Sequence, residues 1–171
     1  MDLKSYFRIL LSFVVLLLLQ ILVLNNISLT SLGITPFFHL LFILSIPFEM
    51  PSWIMLIAAF ALGFNLDIFC DTSGINAASC TFMAYLRPFI LRAISPRDGY
   101  ESGFSPDLKC LGAGWYIKYS LSLIFLHNVF YFFLDAFGFD FLFGVISKIL
   151  LTTVLTFMFI FIAQFLFSNR H

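Results

Sequence analysis

Apolar residues along this chain occur in long runs that are separated by short polar stretches. Most runs approach the ~20 residues that an α-helix needs to cross a bilayer. They predict an all-α membrane protein with one helical domain and six spans, over about residues 6–24, 36–46, 52–69, 74–94, 112–137 and 141–167. The second run is bracketed by Pro36 and Pro47, so we expect it to be a short, broken or re-entrant helix.

The composition supports this interpretation. Apolar residues make up 61% of the chain and charged residues 11%, whereas soluble domains contain about 25% charged residues. A small soluble fold cannot bury so much apolar surface, and disordered chains are far more polar. Nine basic and nine acidic residues, without a basic stretch, also make nucleic-acid binding improbable.

The charged residues predict the orientation of the spans. Eight of the nine basic residues fall at one set of span ends under the six-span interpretation, and a five-span alternative breaks this agreement. By the positive-inside rule those ends, both termini and the polar loop 95–110 are cytoplasmic. We interpret the first run as a retained span, because it is longer than a signal-peptide core and lacks a small-residue cleavage site.

Small residues predict how two of the spans pack. Helices in lipid associate by close backbone approach, and Ala59 and Gly63 have the small-xxx-small spacing in the third span. The start of the fourth span is also rich in small residues. We therefore expect a tight hairpin of these spans through the turn Asp71–Gly74, with the fifth and sixth spans facing lipid or a partner.

Two carboxylates at the outer end of the third span admit two interpretations. Asp67 and Asp71 are four residues apart, so a continuous helix would place both on one face, where they could bind a cation or act as acid and base. The alternative, which we favour, is that they cap the helix end and bond to the start of the fourth span near Gly74 and Asn76.

The remaining intramembrane polar residues favour structural roles. Lys148 is expected to pair with Asp135 or Asp140, with a proton or ion relay as the alternative. His127, beside Asn128, is the main polar feature of the fifth span, and His39 stands alone in the sequence. We expect no metal site or cofactor, and we treat the three cysteines as small core residues.

The inner end of the bundle has its own polar features. Arg87 precedes Pro88 near the end of the fourth span, where the proline allows a kink and the arginine is expected to reach the lipid headgroups. Pro96 and Arg97 open the cytoplasmic loop, and Trp115 follows it. No recognised catalytic motif is present in the sequence, so we do not expect an enzyme.

Several short motifs follow one another along the chain: Gly63-x-x-x-Asp67 followed by Gly74-Ile75-Asn76-Ala77, then Arg87-Pro88, Pro96-Arg97-x-Gly99-Tyr100-Glu101, Trp115-Tyr116-x-x-Tyr119 and Leu126-His127-Asn128. Taken in this order, they resemble the bacterial rod-shape-determining MreD family in its Bacteroidetes form. The resemblance covers nearly the whole chain, and one departure is a C-terminus with only Arg170 as a basic residue.

This resemblance implies a non-enzymatic inner-membrane scaffold of the cell-elongation machinery. Family members are thought to bind the membrane-anchored protein MreC and, through it, to link the filament protein MreB to a RodA-type glycosyltransferase and a class B penicillin-binding transpeptidase. The family is also regarded as similar in fold to the substrate-binding subunits of energy-coupling-factor vitamin transporters. A transporter subunit is therefore the alternative, although the first span lacks the alanines with which such subunits dock.

Overall fold

The fold is all-helical throughout the part of the chain that the structure, a computed structural model, describes: residues 3–25, 35–96, 99–100, 106–136 and 142–168. This confirms the predicted all-α membrane protein. The helices are α1 (Leu3–Leu19, continued by a π-helical turn at Gln20–Leu24), α2 (Leu40–Ser45), α3 (Ser52–Cys70), α4 (Ile75–Ala93), α5 (Leu108–Leu111), α6 (Ala113–Ala136) and α7 (Leu142–Ser168).

Within the described residues, four helical stretches are both long enough and apolar enough to cross a bilayer: Tyr6–Leu24, Ser52–Cys70, Ala113–Ala136 and Gly144–Leu166. They correspond to the first, third, fifth and sixth predicted spans. Helix α4 has 19 residues, about 28 Å at 1.5 Å per residue, but it is less apolar. Because it packs against both α3 and α6, protein replaces lipid around much of its surface. The count of six spans stays a prediction.

The second predicted span is short, as expected. Helix α2 has six residues, about 9 Å of helix, and cannot cross a bilayer alone. Its residues Leu40–Leu44 are all buried, as is the non-helical stretch 36–39 that precedes it. This segment therefore forms part of the core of the bundle.

The predicted hairpin of α3 and α4 is present. Ala59 is fully buried, and a methyl group added to Gly63 would lie 2.6 Å from the Cα of Ala77 and would also overlap the carbonyl oxygen of Asn76. The turn between the helices uses left-handed backbone at Asp71 (φ 53°) and Gly74 (φ 89°). The backbones of α3 and α4 are thus in contact at Gly63, which has no side chain.

The outward surface of the bundle is strongly apolar. Large side chains that are at least half exposed line the outer faces of α1, α3 and α7, as expected for helices that contact lipid or a membrane partner. Those on α3 are Trp53, Ile57, Phe60, Phe64, Ile68 and Phe69, and those on α7 include Ile146, Leu150, Leu151, Val154, Met158, Ile162, Phe165 and Leu166.

Candidate functional site

The buried Asp67 carboxylate organises the turn between α3 and α4. One carboxylate oxygen accepts hydrogen bonds from the Thr72 hydroxyl (2.5 Å) and from the backbone and side-chain amides of Asn76 (3.0 and 3.1 Å). The other accepts from the backbone N–H of Ala77 (2.8 Å). These bonds satisfy free N–H groups in the first turn of α4, where a negative charge is also favourable. The capping interpretation is confirmed for Asp67.

Asp71 does not share this role. Helix α3 ends at Cys70, and the left-handed backbone of Asp71 directs the chain out of the helix, so its side chain is exposed. The helix does not continue far enough to place Asp67 and Asp71 on one face, and the paired-carboxylate interpretation is therefore wrong.

Gln20, to which the sequence analysis gave no weight, anchors the segment before α2. It is 2% exposed. Its side-chain oxygen accepts from the backbone N–H groups of Phe38 (2.9 Å) and His39 (3.3 Å), and its nitrogen donates to the carbonyl of Pro36 (3.1 Å). Thr156 on α7 accepts from the N–H of Phe37 (3.0 Å). Non-helical backbone at membrane depth is tolerated only where protein groups satisfy it in this way.

A half-open cavity of about 240 Å³ lies at the end of the bundle where α3 ends and α4 begins. The charge pattern predicts this end to be non-cytoplasmic. Its lining combines polar and aromatic groups from six parts of the chain: Gln20, Asn25, Thr35, Phe37, His39, Leu66, Cys70, Asn76, Tyr131, Phe132, Asp135 and Lys148.

Asp135 and Lys148 reach this cavity but not each other. Both are exposed, and no direct ion pair joins them among the residues described. The predicted pairing of Lys148 with Asp135 is therefore not seen among the described residues, where both side chains are exposed. Asp140 lies outside the described residues.

Below the cavity, three buried metal-ligating side chains meet. His39, Cys80 and His127 come from the segment before α2, from α4 and from α6, and each offers one ligand atom within 4.8 Å of the other two. All three are at most 1% exposed. His39, which stands alone in the sequence, lies beside another histidine in the fold: its ring centroid is 6.2 Å from that of His127. Within the described part of the chain, neither ring nitrogen of His39 has a hydrogen-bond partner.

His127 is held by its neighbours on α6 and α7. Its Nδ1 lies 3.3 Å from the side-chain oxygen of Asn128, and the Asn128 amide donates to Thr153 on α7 (2.9 Å). The Asn128 oxygen faces the imidazole, so a proton on His127 Nδ1 can donate to it. In that tautomer Nε2, which is 4.0 Å from the sulfur of Cys80, keeps its lone pair.

Arg87 joins three helices instead of reaching the headgroups, so the expectation for this residue is wrong. It is 3% exposed. Its Nε donates to the Tyr119 hydroxyl (2.6 Å), and its terminal nitrogens contact the Met55 sulfur (3.2 Å) and the carbonyl of Ile46. Tyr119 donates in turn to the carbonyl of Leu44 (3.1 Å). The guanidinium thus donates to the buried carbonyl of Ile46, and Tyr119 donates to that of Leu44, so both carbonyls at the end of α2 have donors. Pro88 lies inside α4, which continues past it to Ala93.

Aromatic side chains close the opposite end of the bundle. Trp115 donates to the carbonyl of Ile94 (3.1 Å) at the end of α4, and Tyr100 donates to that of Leu91 (2.8 Å). Tyr100 also stacks on Phe48, with centroids 4.5 Å apart. Pro96 accepts from the N–H of Gly99 (3.1 Å) in a turn. Arg97 lies outside the described residues. The described part of the loop is therefore tied to the ends of α4 and α6.

Several of these contacts were not foreseen. A single glutamine within an apolar run was the available signal for Gln20, because a buried amide in a membrane span needs a partner. No local signal connects His39, Cys80 and His127, since they lie on separate elements. Comparisons with protein-family models, with curated proteins and with solved structures give no match for this chain.

Proposed function

We propose that this chain is a non-enzymatic scaffold of the bacterial cell-elongation machinery, located in the inner membrane with both termini in the cytoplasm. In this role it binds MreC and, through it, links MreB to a RodA-type glycosyltransferase and a class B penicillin-binding transpeptidase. The proposal starts from the ordered motifs that resemble the MreD family.

Most of the residues in these motifs form contacts that stabilise the helix bundle, and this observation supports the proposal. Gly63 and Asp67 form the α3–α4 hairpin, Arg87 joins α2, α3 and α6, and Asn128 joins α6 to α7. With these polar groups engaged inside, the chain presents mainly apolar helix faces to its neighbours. Such a surface recognises a membrane-embedded partner by helix packing.

Site-specific photocrosslinking tests this role. Photoreactive residues placed at Ile57 and Phe64 on α3, and at Leu150 and Val154 on α7, sample two outward faces. In cells that also contain MreC, we expect one of the two faces to crosslink to the transmembrane helix of MreC. Crosslinks confined to lipid and to the chain itself at all four positions would refute the scaffold proposal.

A matched test in cells uses complementation. In a rod-shaped bacterium whose own MreD gene is replaced by this sequence, we expect rod shape to be kept. Gly63→Leu, which overfills the α3–α4 contact, should give rounded cells, whereas Gly114→Leu should not, because Gly114 faces open space. Equal amounts of both variants in the membrane are required for the comparison.

The cavity favours a second candidate, a substrate-binding subunit of a small-molecule transporter. Its polar lining beside aromatic side chains is typical of ligand sites. The cavity volume of about 240 Å³ is smaller than the ~300–1,000 Å³ usual for small-molecule sites. Native mass spectrometry of the chain purified from its membranes should detect a retained small molecule under this candidate. Asp135→Asn, at the mouth of the cavity, should then release it, while the exposed Asp71→Asn should not.

A further inference from the structure

We propose that His39, Cys80 and His127 form a zinc(II) site within the membrane bundle. This site is independent of the scaffold role, and its function is to fasten the segment before α2 to α4 and α6.

The donor set is suited to zinc. Cysteine thiolate and neutral imidazole are its preferred ligands, with Zn–S near 2.3 Å and Zn–N near 2.0–2.1 Å. These bond lengths and a tetrahedral angle place sulfur and nitrogen about 3.6 Å apart, so the 4.0 Å between Cys80 and His127 requires only a small contraction. No pair of ligand atoms is more than 4.8 Å apart.

The unpartnered imidazole of His39 points to a ligand. Buried polar groups are normally hydrogen-bonded, and leaving one unpaired costs about 1–3 kcal/mol. Gln20 and the packing of Phe37 fix the backbone around His39, yet both of its ring nitrogens lack a partner among the residues that the structure describes. A metal–nitrogen bond would satisfy one of them.

The surroundings of the other two ligands also fit a metal. The Asn128 oxygen lies 3.3 Å from Nδ1 of His127, so a proton on Nδ1 would donate to it and leave the Nε2 lone pair for a metal, which is the usual arrangement around metal-binding histidines. When zinc binds, the Cys80 thiol loses its proton to solvent and the sulfur forms the metal bond. Asp67, bonded to Ala77 one turn before Cys80, supplies negative charge near the resulting cation.

His39 lines the cavity, which gives the ion a route to the site, and a water molecule from the cavity would supply a fourth ligand. Three protein ligands with a water molecule in the fourth position is a common zinc arrangement.

Cobalt(II) is the spectroscopic probe for this site. The full-length chain with Cys70→Ser and Cys110→Ser keeps Cys80 as its one thiol. Titrated with cobalt(II) chloride in nanodiscs under reducing conditions, it should show a thiolate-to-cobalt charge-transfer absorption at one equivalent. Zinc(II) chloride should displace the cobalt and raise the melting temperature. Adding Cys80→Ser should abolish both effects.

Two further variants keep the test decisive if Cys80→Ser fails to fold. His39→Phe preserves an aromatic ring beside Phe37 and should remove the absorption from a folded chain. Asn128→Leu, which frees the His127 ring, should weaken metal affinity about 10–100-fold. A folded Cys80-only chain without the absorption, or equal binding by folded His39→Phe, would overturn the proposal.

Discussion

At the scale of single residues, Gly63 decides how closely α3 and α4 approach. Gly63→Ala places a methyl group 2.6 Å from the Cα of Ala77, so the helices must separate. Overpacking of this kind costs about 1–3 kcal/mol, and we expect a corresponding loss of stability on denaturation in mixed micelles. Gly114→Ala is the matched control, because an added methyl group there meets no neighbour. Equal stability of the two variants would contradict this account of the hairpin.

Substitution of Asp67 and substitution of Asp71 should have different effects on the stability of the fold. In Asp67→Asn, an amide N–H₂ replaces one oxygen and faces a donor from Thr72, Asn76 or Ala77. One buried donor then lacks its acceptor, at a cost of about 1–3 kcal/mol. Asp71→Asn should be neutral, because asparagine tolerates the left-handed backbone. Thermal unfolding followed by circular dichroism measures both, and a neutral Asp67→Asn would show that the cap contributes little.

Cys110, outside the membrane spans, gives a pH-dependent prediction. Burial and then the neighbouring Asp107 carboxylate raise the pKa of the Cys110 thiol to about 11. Since the thiolate is the reactive form, maleimide labelling should accelerate about tenfold per pH unit from pH 7 to 10. Asp107→Asn lowers the pKa and should accelerate labelling at pH 8, with N-acetylcysteine as the reference. An unchanged rate would exclude the carboxylate as a cause.

At the scale of elements, the buried segment before α2 depends on side chains from elsewhere in the chain. Gln20→Leu removes the acceptor of Phe38 and His39 and leaves two buried N–H groups unpaired. We expect amide hydrogen exchange across 37–46 to speed up by at least tenfold, since local opening becomes less costly. Gln164→Leu on α7 is the control. Unchanged exchange in Gln20→Leu would mean that Thr156 and packing hold the segment alone.

The same element marks the limit of sequence-based prediction. The hairpin of α3 and α4 could be predicted because the spacing of Ala59 and Gly63 and the position of Asp67 are local features. The inward orientation of the Arg87 side chain could not be predicted in this way. It depends on the carbonyl of Ile46 and, through Tyr119, on that of Leu44, and α2 presents these carbonyls to the α4 side chain only in the folded bundle.

The meeting of His39, Cys80 and His127 depends on the same folding. The sequence indicates a short, broken second span, but it does not indicate which helices surround that span. Long-range contacts of this kind follow from the tertiary packing of all the helices, and no periodicity within one helix encodes them.

At the scale of the whole molecule, the two ends of the bundle differ in character. One end carries the polar cavity and the Asp67 turn, and the other is closed by Trp115, Tyr100 and Phe48. An asymmetric bundle of this kind has a defined orientation in the membrane. The scaffold proposal requires the aromatic end to face the cytoplasm, where the filament and synthase partners of the machinery would reach the loop.

Cys70 and Cys110 lie near opposite ends of the bundle and can test that orientation directly. In intact cells, a membrane-impermeant maleimide should label a chain that keeps only Cys70 and should spare one that keeps only Cys110, both with Cys80→Ser. Permeabilised cells at pH 9, where more of the Cys110 thiol is ionised, should label the second chain as well. A variant with all three cysteines replaced by serine sets the background. Labelling of Cys110 in intact cells would place the aromatic end outside and reverse the predicted orientation. The loop 95–110 could then not contact filament or synthase partners in the cytoplasm.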